Sequence, residues 1–417
     1  MHVYFDHNST TAPDERVLEA MLPFLKGEYG NASSRHEFGT RARKAVNRAR
    51  EQVARLVNVQ ASQVVFVSGG TEANNLFIKG AAAYLKPTQV VVSGIEHPCV
   101  AKPAQDLARQ GWKLRKLAVR PNGLVDLADV DAALTDATGL VSVMLANNET
   151  GVIQPVAEIA AKAREKRAWM HTDAVQALGK IPVDFEALGV HAMTISAHKI
   201  YGPKGAGALV VDKRLELKPI IHGGGHEMGL RSGTENVPAI VGGGLAAEIA
   251  LREMPERIAH TARLQQRLYD GLKTKIAYIK FNGPEPGPKR ISTNLNISTE
   301  FIEGEGQLLL CDMNGIAVAS GSSCVSKSLK ISHVLAAIGL DHALAQGNLI
   351  ISLGKDNTEE DIDYVVETFA KIVDRLRNMS PMWDEFQRGI IDSVIAPTGR
   401  GKSFSEHAAA VSGKAAH

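Results

Sequence analysis

The sequence predicts an α/β fold, and two observations support this prediction. From about residue 14 to 256, short β-branched or apolar runs alternate with helical patterns, beginning with a run at 64–67 and a helical pattern at 73–85. This alternation is typical of a mostly parallel sheet covered by helices. The composition, 44% hydrophobic and 22% charged over 417 residues, is that of a globular protein with an extensive core.

The other elements of this region follow in the same order. Further strand-like runs lie at 89–93, 140–145, 169–172, 192–195 and 206–211, and further helical patterns at 100–109 and 156–166. After residue 257 the pattern changes to helices with few strands. A predicted helix at 258–276 is followed by strand-like runs at 292–297 and 315–319, and a capping-box sequence at 358–361 opens another amphipathic helix. We therefore predict a smaller α+β domain in the last third.

Charge and cysteine content limit the class of protein. The 47 Lys and Arg residues nearly balance the 45 Asp and Glu residues, and no basic stripe indicates nucleic acid. The apolar stretches are shorter than the roughly 18 residues of a membrane span, and the first residues do not resemble a signal peptide. Three cysteines, Cys99, Cys311 and Cys324, fit a reducing compartment. We expect a soluble cytoplasmic protein.

Polar or ionisable groups follow five of the predicted strands. These groups are 68–72, Glu96 with His97, 147–149, Asp173 with Gln176, and 196–199. Ligands of open parallel sheets bind beyond the carboxyl ends of the strands. The sequence therefore predicts that these side chains share one edge of the sheet.

Together these groups suit pyridoxal phosphate. Gly69, Gly70 and Thr71 before a helix can seat a phosphate or simply form a turn, and they lack the lysine of a P-loop. Lys199 and the acid at the end of a strand supply covalent attachment and a partner for the pyridine nitrogen. The alternative is a metal site whose spacings match no standard zinc pattern, built from His97, Cys99, His171, Asp173 and His198.

The stretch Ser196-Ala197-His198-Lys199-Ile200-Tyr201-Gly202-Pro203-Lys204-Gly205 resembles the lysine motif of class V, fold-type-I pyridoxal-phosphate enzymes, and more narrowly that of the NifS/IscS cysteine desulfurases. The resemblance runs from residue 4 to about 389. Supporting stretches lie at 4–11, 30–34, 70–72, 96–98, 147–151, 231–234 and, as the most discriminating, Ser320-Gly321-Ser322-Ser323-Cys324. It implies a pyridoxal-phosphate-binding large domain at 14–256 with a mostly parallel seven-stranded sheet. It also implies a small domain at 1–13 and 257–380 that carries the catalytic-cysteine loop, and a docking segment with a mobile tail at 381–417.

The resemblance also implies the roles of individual residues. Lys199 would attach the cofactor and take the substrate α-proton, and His97 would stack on the ring and transfer protons. Asp173 would pair with the pyridine nitrogen, and Gln176 with the phenolic oxygen. The remaining implied cofactor contacts are Gly70, Thr71, Asn148, Ser196, His198 and, toward the neighbouring subunit of a homodimer, Thr234. No resident metal is implied, although Cys324 could ligate a transferred iron–sulfur cluster.

The three cysteines receive different interpretations. In the related enzymes the position of Cys324 accepts the substrate sulfur as a persulfide, and its small neighbours with Lys327 and Lys330 favour a movable, reactive thiolate. Cys311 lies in an apolar run and is predicted to be buried. Cys99, at the start of a helix, is interpreted as structural.

One position departs from the family pattern. Ile350 stands where the family carries an arginine that clamps the substrate carboxylate, and isoleucine cannot make that contact. Ala32 also replaces a usual proline. Lys355 or Arg35 could take the carboxylate, the substrate could be selenocysteine or a modified cysteine, or the protein could be a weakly active, scaffold-binding paralogue.

Partners are predicted from the resemblance as well. The enzyme would convert L-cysteine to L-alanine and pass sulfur to an acceptor or iron–sulfur scaffold protein, for cluster assembly or thiolation. The segment 380–386 resembles the scaffold-docking segment of these enzymes, or is an ordinary helix end. An interaction protein without turnover, and an aminotransferase or lyase that needs no Cys324, remain alternatives.

Overall fold

The computed structural model describes residues 1–321 and 331–397. Its strands are β1 (Val3–Tyr4), β2 (Val64–Val67), β3 (Gln89–Ser93), β4 (Lys113–Leu117), β5 (Thr138–Ser142), β6 (Trp169–Asp173), β7 (Ala192–Ser196), β8 (Gly207–Val211), β9 (Ile279–Asn282), β10 (Asn294–Thr299), β11 (Ile316–Ala317) and β12 (Asn348–Ser352). Its helices are α1 (Glu15–Lys26), α2 (Glu37–Leu56), α3 (Gly70–Ala82), α4 (Pro98–Arg109), α5 (Leu127–Ala133), α6 (Val156–Glu165), α7 (Phe185–Leu188), α8 (Val237–Lys275), α9 (Gly304–Met313), α10 (His333–Ala337), α11 (His342–Gln346), α12 (Glu359–Asn378) and α13 (Pro381–Gln387). None of these described helices is long and apolar enough to cross a membrane.

Seven strands form the central sheet, in the order β2-β8-β7-β6-β5-β3-β4. Neighbouring strands from β7 to β4 in this order are parallel, whereas β8 is antiparallel to both β2 and β7. The prediction of an α/β fold with a mostly parallel seven-stranded sheet is therefore confirmed.

Helices cover both faces of this sheet. On one face, Phe66 of β2 belongs to the same buried cluster as Val46 of α2 and Ile240 of α8. On the other face, Val65 packs in a cluster with Phe77 of α3. Because both faces are buried, strands such as β2 and β8 are continuous apolar runs and do not alternate with polar residues.

In the central sheet, two strands differ clearly from the sequence prediction, and outside it β1, β9 and β12 were not predicted. The pattern missed β4, an edge strand of sequence KLRKL whose side chains are mostly exposed. Edge strands commonly carry charges that discourage pairing with other chains, so they lack an apolar signature. The run predicted at 140–145 begins earlier as β5, and its last residues continue beside β6 through backbone hydrogen bonds from Val143 to His171 and from Leu145 to Asp173.

Helix α8 begins 21 residues before the helix predicted at 258–276 and runs through both cores. Its first half packs below the central sheet, where a Cβ at Gly244 would lie 2.5 Å from the Cα of Ala49 in α2. Only glycine allows two helices to approach so closely. Its second half places Leu264 and Leu268 in a separate core with Phe5. We keep the division after residue 256 as a proposal.

The second core lies under a three-stranded antiparallel sheet in the order β12-β10-β9. Strands β1 and β11 pair in parallel beside it. Helix α12 closes this core with the apolar face predicted from the sequence, including Ile362 and Phe369. Its capping box is formed by Thr358 and Asp361, each side chain accepting a backbone N–H from the other residue.

Candidate active site

An open pocket of about 420 Å³ lies where strands β6 and β7 and the turn before α3 end. Nine of the residues predicted for the site line it: Gly70, Thr71, His97, Asn148, Asp173, Gln176, Ser196, His198 and Lys199. The pocket is also lined by Cys99 and by four residues that were assigned no role from the sequence: Asn8, Ser9, Met144 and Val175. The predicted convergence of polar groups on one edge of the sheet is therefore observed.

The start of α3 supplies backbone N–H groups to the pocket. Gly69 precedes the helix with a φ of +156°, a conformation that favours glycine. A Cβ at Gly69 would lie 3.9 Å from the Oγ of Ser196, so the turn and the end of β7 are close. Unpaired N–H groups of a helix's first turn together with a hydroxyl form a suitable seat for a phosphate.

Asp173 is the acid of the site and is almost fully buried at the end of β6. Its Oδ2 accepts a hydrogen bond from Nδ2 of Asn74 at 2.7 Å, and its Oδ1 accepts one from the backbone N–H of Val175 at 3.0 Å. Burial raises the pKa of the Asp173 carboxyl, and these hydrogen bonds oppose that change. Since a buried carboxylate is costly without a positive partner, the site fits a protonated ring nitrogen.

Lys199 lies in the short 3-10 turn that follows β7. Its Nζ donates hydrogen bonds to the carbonyl oxygens of Asn8 and Ser9, each at 2.5 Å. Burial lowers the pKa of Lys199 to about 8, while the charges of Asp6 and Asp173 act in the opposite direction. A lysine with such a pKa has an appreciable neutral fraction at neutral pH, which a nucleophilic or basic amine requires.

Both the nitrogen and the oxygen of the Gln176 side-chain amide are hydrogen-bonded. Its Nε2 donates to the carbonyl oxygen of Asn8 at 2.9 Å, and its Oε1 accepts from the Nζ of Lys180 at 2.6 Å. Burial, followed by the charge of Lys199, lowers the pKa of Lys180 to about 7. Sequence reasoning missed Lys180 and Asn8. The spacing of Lys180 four residues after Gln176 was the one available signal.

His97 and Cys99 form a contact pair at the start of α4. The Nδ1 of His97 caps the helix by accepting the backbone N–H of Cys99 at 3.2 Å, and the Sγ of Cys99 lies 2.8 Å from the same Nδ1. Cys99 also lines the pocket. Cys311, as predicted, is buried at 1% exposure in the second core.

The alternative metal site is not formed. Across residues 1–321 and 331–397, no group of three or more His, Cys, Asp and Glu side chains could hold a metal ion. His171, one of its candidate ligands, is fully buried between the hydroxyls of Ser142 and Thr194, at 2.8 and 2.9 Å, and stacks on Phe77. Burial lowers the pKa of His171 to about 3, so it is a neutral core residue.

Two of the predicted site residues are not among the described residues that line the pocket. Thr234 is exposed and does not line the pocket of its own chain. Cys324, with Lys327 and Lys330, lies outside the described residues. The residues bordering that segment are anchored beside the pocket: the backbone N–H of Gly321 donates to Oδ1 of Asn348 at 3.0 Å, and the hydroxyl of Ser332 donates to Oε2 of Glu149 at 2.6 Å.

Ile350 lies in β12 opposite Asn296 of β10. It shares its face of the strand with Asn348 and Ser352. The Nδ2 of Asn348 donates to Oδ1 of Asn296 at 2.6 Å, and the hydroxyl of Ser352 accepts the backbone N–H of Asn8 at 2.9 Å. The side chain of Ile350 is buried at 6% exposure. The two cations proposed as substitutes for the missing arginine, Lys355 and Arg35, are not among the described residues lining the pocket. The Nζ of Lys355 instead pairs with Asp356 at 2.7 Å.

Comparison with known proteins identifies the family. The class V aminotransferase family matches residues 3–365. A cysteine desulfurase IscS of Clostridium botulinum is 45% identical over 388 residues, covering 93% of this chain and 98% of the relative. A solved NifS-like protein superposes with a TM-score of 0.85 at 38% identity, covering 90% of this chain and all of that one. A structure described as SspA in complex with cysteine gives 0.76 at 33% identity, covering 85% and 99%.

The chain belongs to the class V aminotransferases and, within them, to the cysteine desulfurases of the IscS and NifS type. These enzymes depend on pyridoxal phosphate. The pocket fits that cofactor on its own chemistry, since it combines a partly neutral lysine, a buried carboxylate, an imidazole and a glycine-led helix start.

Proposed function

We propose that this chain converts L-cysteine to L-alanine with pyridoxal phosphate and accepts the sulfur on Cys324. The observation that carries the proposal is the pocket in which Lys199 and the buried Asp173 face the start of α3. The relatives named cysteine desulfurase, at 45% identity over nearly their whole length, support the reaction class. The structure described as a complex with cysteine supports the substrate class.

The cofactor contacts proposed here are those that the resemblance implies, and their residues all line the pocket. Gly70, Thr71, Ser196 and His198 would hold the phosphate, and His97 would stack on the ring. Asp173 would pair with the pyridine nitrogen, Gln176 with the phenolic oxygen, and Asn148 would lie near the ring and substrate. When bound, pyridoxal phosphate supplies an electron sink for the charge released at the substrate α-carbon.

Proton movement is assigned to Lys199 and His97. Lys199 would attach the cofactor at Nζ, and the same amine would take the α-proton of the substrate. The burial that lowers its pKa to about 8 keeps part of this amine neutral and therefore basic. Burial also lowers the pKa of His97, so its imidazole is available in the neutral form.

The sulfur step belongs to Cys324. Its thiolate attacks the substrate sulfur, the carbon–sulfur bond of the substrate breaks, and the electrons of that bond remain on the carbon, which is then protonated to give alanine. Cysteine and the enzyme thiol thus become alanine and an enzyme persulfide, with no external oxidant. The anchoring of Gly321 and Ser332 to Asn348 and Glu149, beside the pocket residue Asn148, supports placing this thiol at the substrate.

The test is alanine released from L-cysteine in the presence of a thiol reductant. We expect alanine from the wild type and from the control Cys311→Ala, whose cysteine lies in the second core, and none from Cys324→Ala. Equal release by Cys324→Ala would refute the sulfur-accepting role and favour a lyase. Wild-type protein that binds the cofactor but releases no alanine would refute the activity itself.

The substrate alternatives arise from Ile350. A selenocysteine or modified-cysteine lyase, or a weakly active scaffold-binding paralogue, would each tolerate loss of the carboxylate clamp. The close relatives named cysteine desulfurase favour the desulfurase over these alternatives. The cytoplasmic location stays a prediction.

We also propose a homodimer and an iron–sulfur scaffold or other sulfur acceptor as partners. The exposed position of Thr234 is compatible with a contact to the neighbouring subunit's phosphate, and sedimentation of the holoenzyme at twice the chain mass would support the dimer.

The docking segment can be tested separately. In α13, Trp383 and Phe386 pack on Tyr278 and Phe301, which supports a structural role beside the proposed docking role. Truncation before Ser380 should abolish scaffold binding while cofactor absorbance is kept, and truncation after residue 397 serves as the control. Unchanged scaffold binding after the longer truncation would contradict the docking role.

A further inference from the structure

A chain of four side chains links the acid of the pocket to the ring-stacking histidine. Nδ2 of Asn74 lies 2.7 Å from Oδ2 of Asp173 and 3.0 Å from Sγ of Cys99. The same Sγ lies 2.8 Å from Nδ1 of His97. The members come from α3, α4, the residue capping α4 and the end of β6, so the chain exists only in the folded protein.

The hydrogens in this chain have one consistent direction. Nδ2 of Asn74 carries two hydrogens, so it donates one to Asp173 and the other to the sulfur of Cys99. Nδ1 of His97 accepts the backbone N–H of Cys99, so this nitrogen carries a lone pair and no hydrogen. The remaining contact therefore needs a donor on sulfur, and the thiol of Cys99 donates to Nδ1 of His97.

We propose that Cys99 is a positioning residue that holds His97 in the tautomer with its proton on Nε2 and connects that imidazole, through Asn74, to Asp173. The inference deepens the proposed function, because His97 and Asp173 are its cofactor contacts. It concerns the tautomer of the His97 imidazole, which can be measured without turnover. Cys99 itself need not touch the reacting atoms for this role.

The charge states of the four hydrogen-bonded side chains agree with this direction of donation. Burial, with the nearby carboxyls of Asp173 and Glu96, raises the pKa of the Cys99 thiol to about 12, so the sulfur keeps its hydrogen at neutral pH. Burial lowers the pKa of His97; the charges of Lys199 and His333 add to this effect, and that of Asp173 opposes it. Because Nδ1 of His97 accepts from two donors, the neutral imidazole must carry its proton on Nε2.

Nitrogen NMR of the holoenzyme labelled with ¹⁵N-histidine tests the proposal, with the signals of His97 assigned by their loss in His97→Asn. In the wild type we expect an unprotonated Nδ1 and a protonated Nε2 at neutral pH. Cys99→Ala removes the thiol, one of the two donors to Nδ1, and keeps the backbone N–H, so part of the proton population should shift from Nε2 to Nδ1. The pKa of His97 should rise by about half to one unit.

Two further variants make the result specific. Cys99→Ser keeps a hydroxyl donor and should restore the wild-type tautomer, whereas Cys311→Ala, a cysteine change in the other core, should leave His97 unaffected. A protonated Nδ1 in the wild type would overturn the proposal, as would a Cys99→Ala spectrum identical to that of the wild type. If Cys99→Ala fails to fold, the wild-type tautomer and the Cys99→Ser titration decide it.

Failure of this proposal can be told apart from failure of the proposed function. The tautomer is read from NMR, and the desulfurase activity from alanine release. A wild type with an unprotonated Nδ1 and no alanine release would refute the activity and leave the role of Cys99 intact. Alanine release with a protonated Nδ1 would refute the role of Cys99 and leave the activity intact.

Discussion

The pocket around Lys199 and the polar face shared by β10 and β12 differ in how well they match a charged ligand. In the pocket, Lys199 is partly buried and Asp173 almost fully buried, and each makes two hydrogen bonds. On the strand face, Asn296 and Asn348 hydrogen-bond to each other at 2.6 Å, and Ile350 lies in register with Asn296.

The groups that suit the cofactor and the position expected to bind a substrate carboxylate lie on different elements of the chain. Nine of the ten predicted cofactor-binding residues line the pocket, whereas the position expected to clamp a substrate carboxylate holds the apolar Ile350. A change at the strand face should therefore alter substrate affinity without loss of the cofactor, and a change in the pocket should abolish turnover.

The largest effect is expected at Lys199. Lys199→Ala removes both the covalent attachment and the base, so alanine release should fall at least about a thousandfold. Lys204→Ala changes an exposed lysine of the same motif and serves as the control. Comparable activity in the two variants would show that Lys199 is not the base.

Asp173→Asn should have the next largest effect. Asparagine retains the size and can keep a contact with Asn74, but it cannot stabilise a positive ring nitrogen, so turnover should fall about a hundredfold while the cofactor remains attached through Lys199. Steady-state rates, together with the absorbance of the bound cofactor, separate the two quantities. Wild-type rates in Asp173→Asn would contradict the assignment of this carboxylate.

The buried carboxyl of Glu149 should make the free energy of unfolding depend on pH. Burial raises the pKa of its carboxyl from 4.5 to about 7, so the folded protein binds this proton more tightly than the unfolded chain does. Its contribution to stability is therefore complete below pH 4.5 and is lost as the pH rises to about 7.

Glu149→Gln keeps an acceptor for Ser332 but cannot ionise. Relative to the wild type, this variant should gain stability as the pH rises from 4.5 to 7, by on the order of 3 kcal/mol. Urea unfolding midpoints across that range measure the difference, with the exposed Glu158→Gln of α6 as control. A difference that does not change with pH would exclude titration of Glu149.

The smallest effect is expected from Ile350→Arg. A guanidinium on this face would offer a charged donor to the substrate carboxylate, so KM for L-cysteine should fall about tenfold. Ile350→Leu keeps the volume without the charge and should leave KM unchanged. An unaltered KM and rate in Ile350→Arg would show that the substrate is anchored elsewhere.

Local patterns predicted much of the fold. The strands at 64–67 and 89–93 are observed with the predicted bounds, because both are buried apolar runs between turn residues. The cap of α12 was also predicted, since a capping box is written in four consecutive residues. By contrast, the edge strand β4 has the charges of a surface segment, and no local signal identifies it as a strand.

In the site, too, some features were predicted from local patterns and others were not. The polar groups after β6 and β7 were predicted to converge, because the carboxyl ends of parallel strands meet at one edge. The contacts of Asn74 with Asp173, and of Gln176 with Asn8, were not predicted. They join residues 99 and 168 positions apart, which no spacing rule relates.

Residue types and their spacing suffice to predict the available chemistry: the lysine, the acid and the glycine-led turn at the ends of recognisable strands. How those groups are tuned depends on the folded structure. Burial of Asp173, the shift of Lys199 toward a neutral amine and the contact of Cys99 with His97 all depend on desolvation and on partners brought from distant segments. Residue type fixes which protons a group can hold, but the solvent and charges around it fix when it holds them.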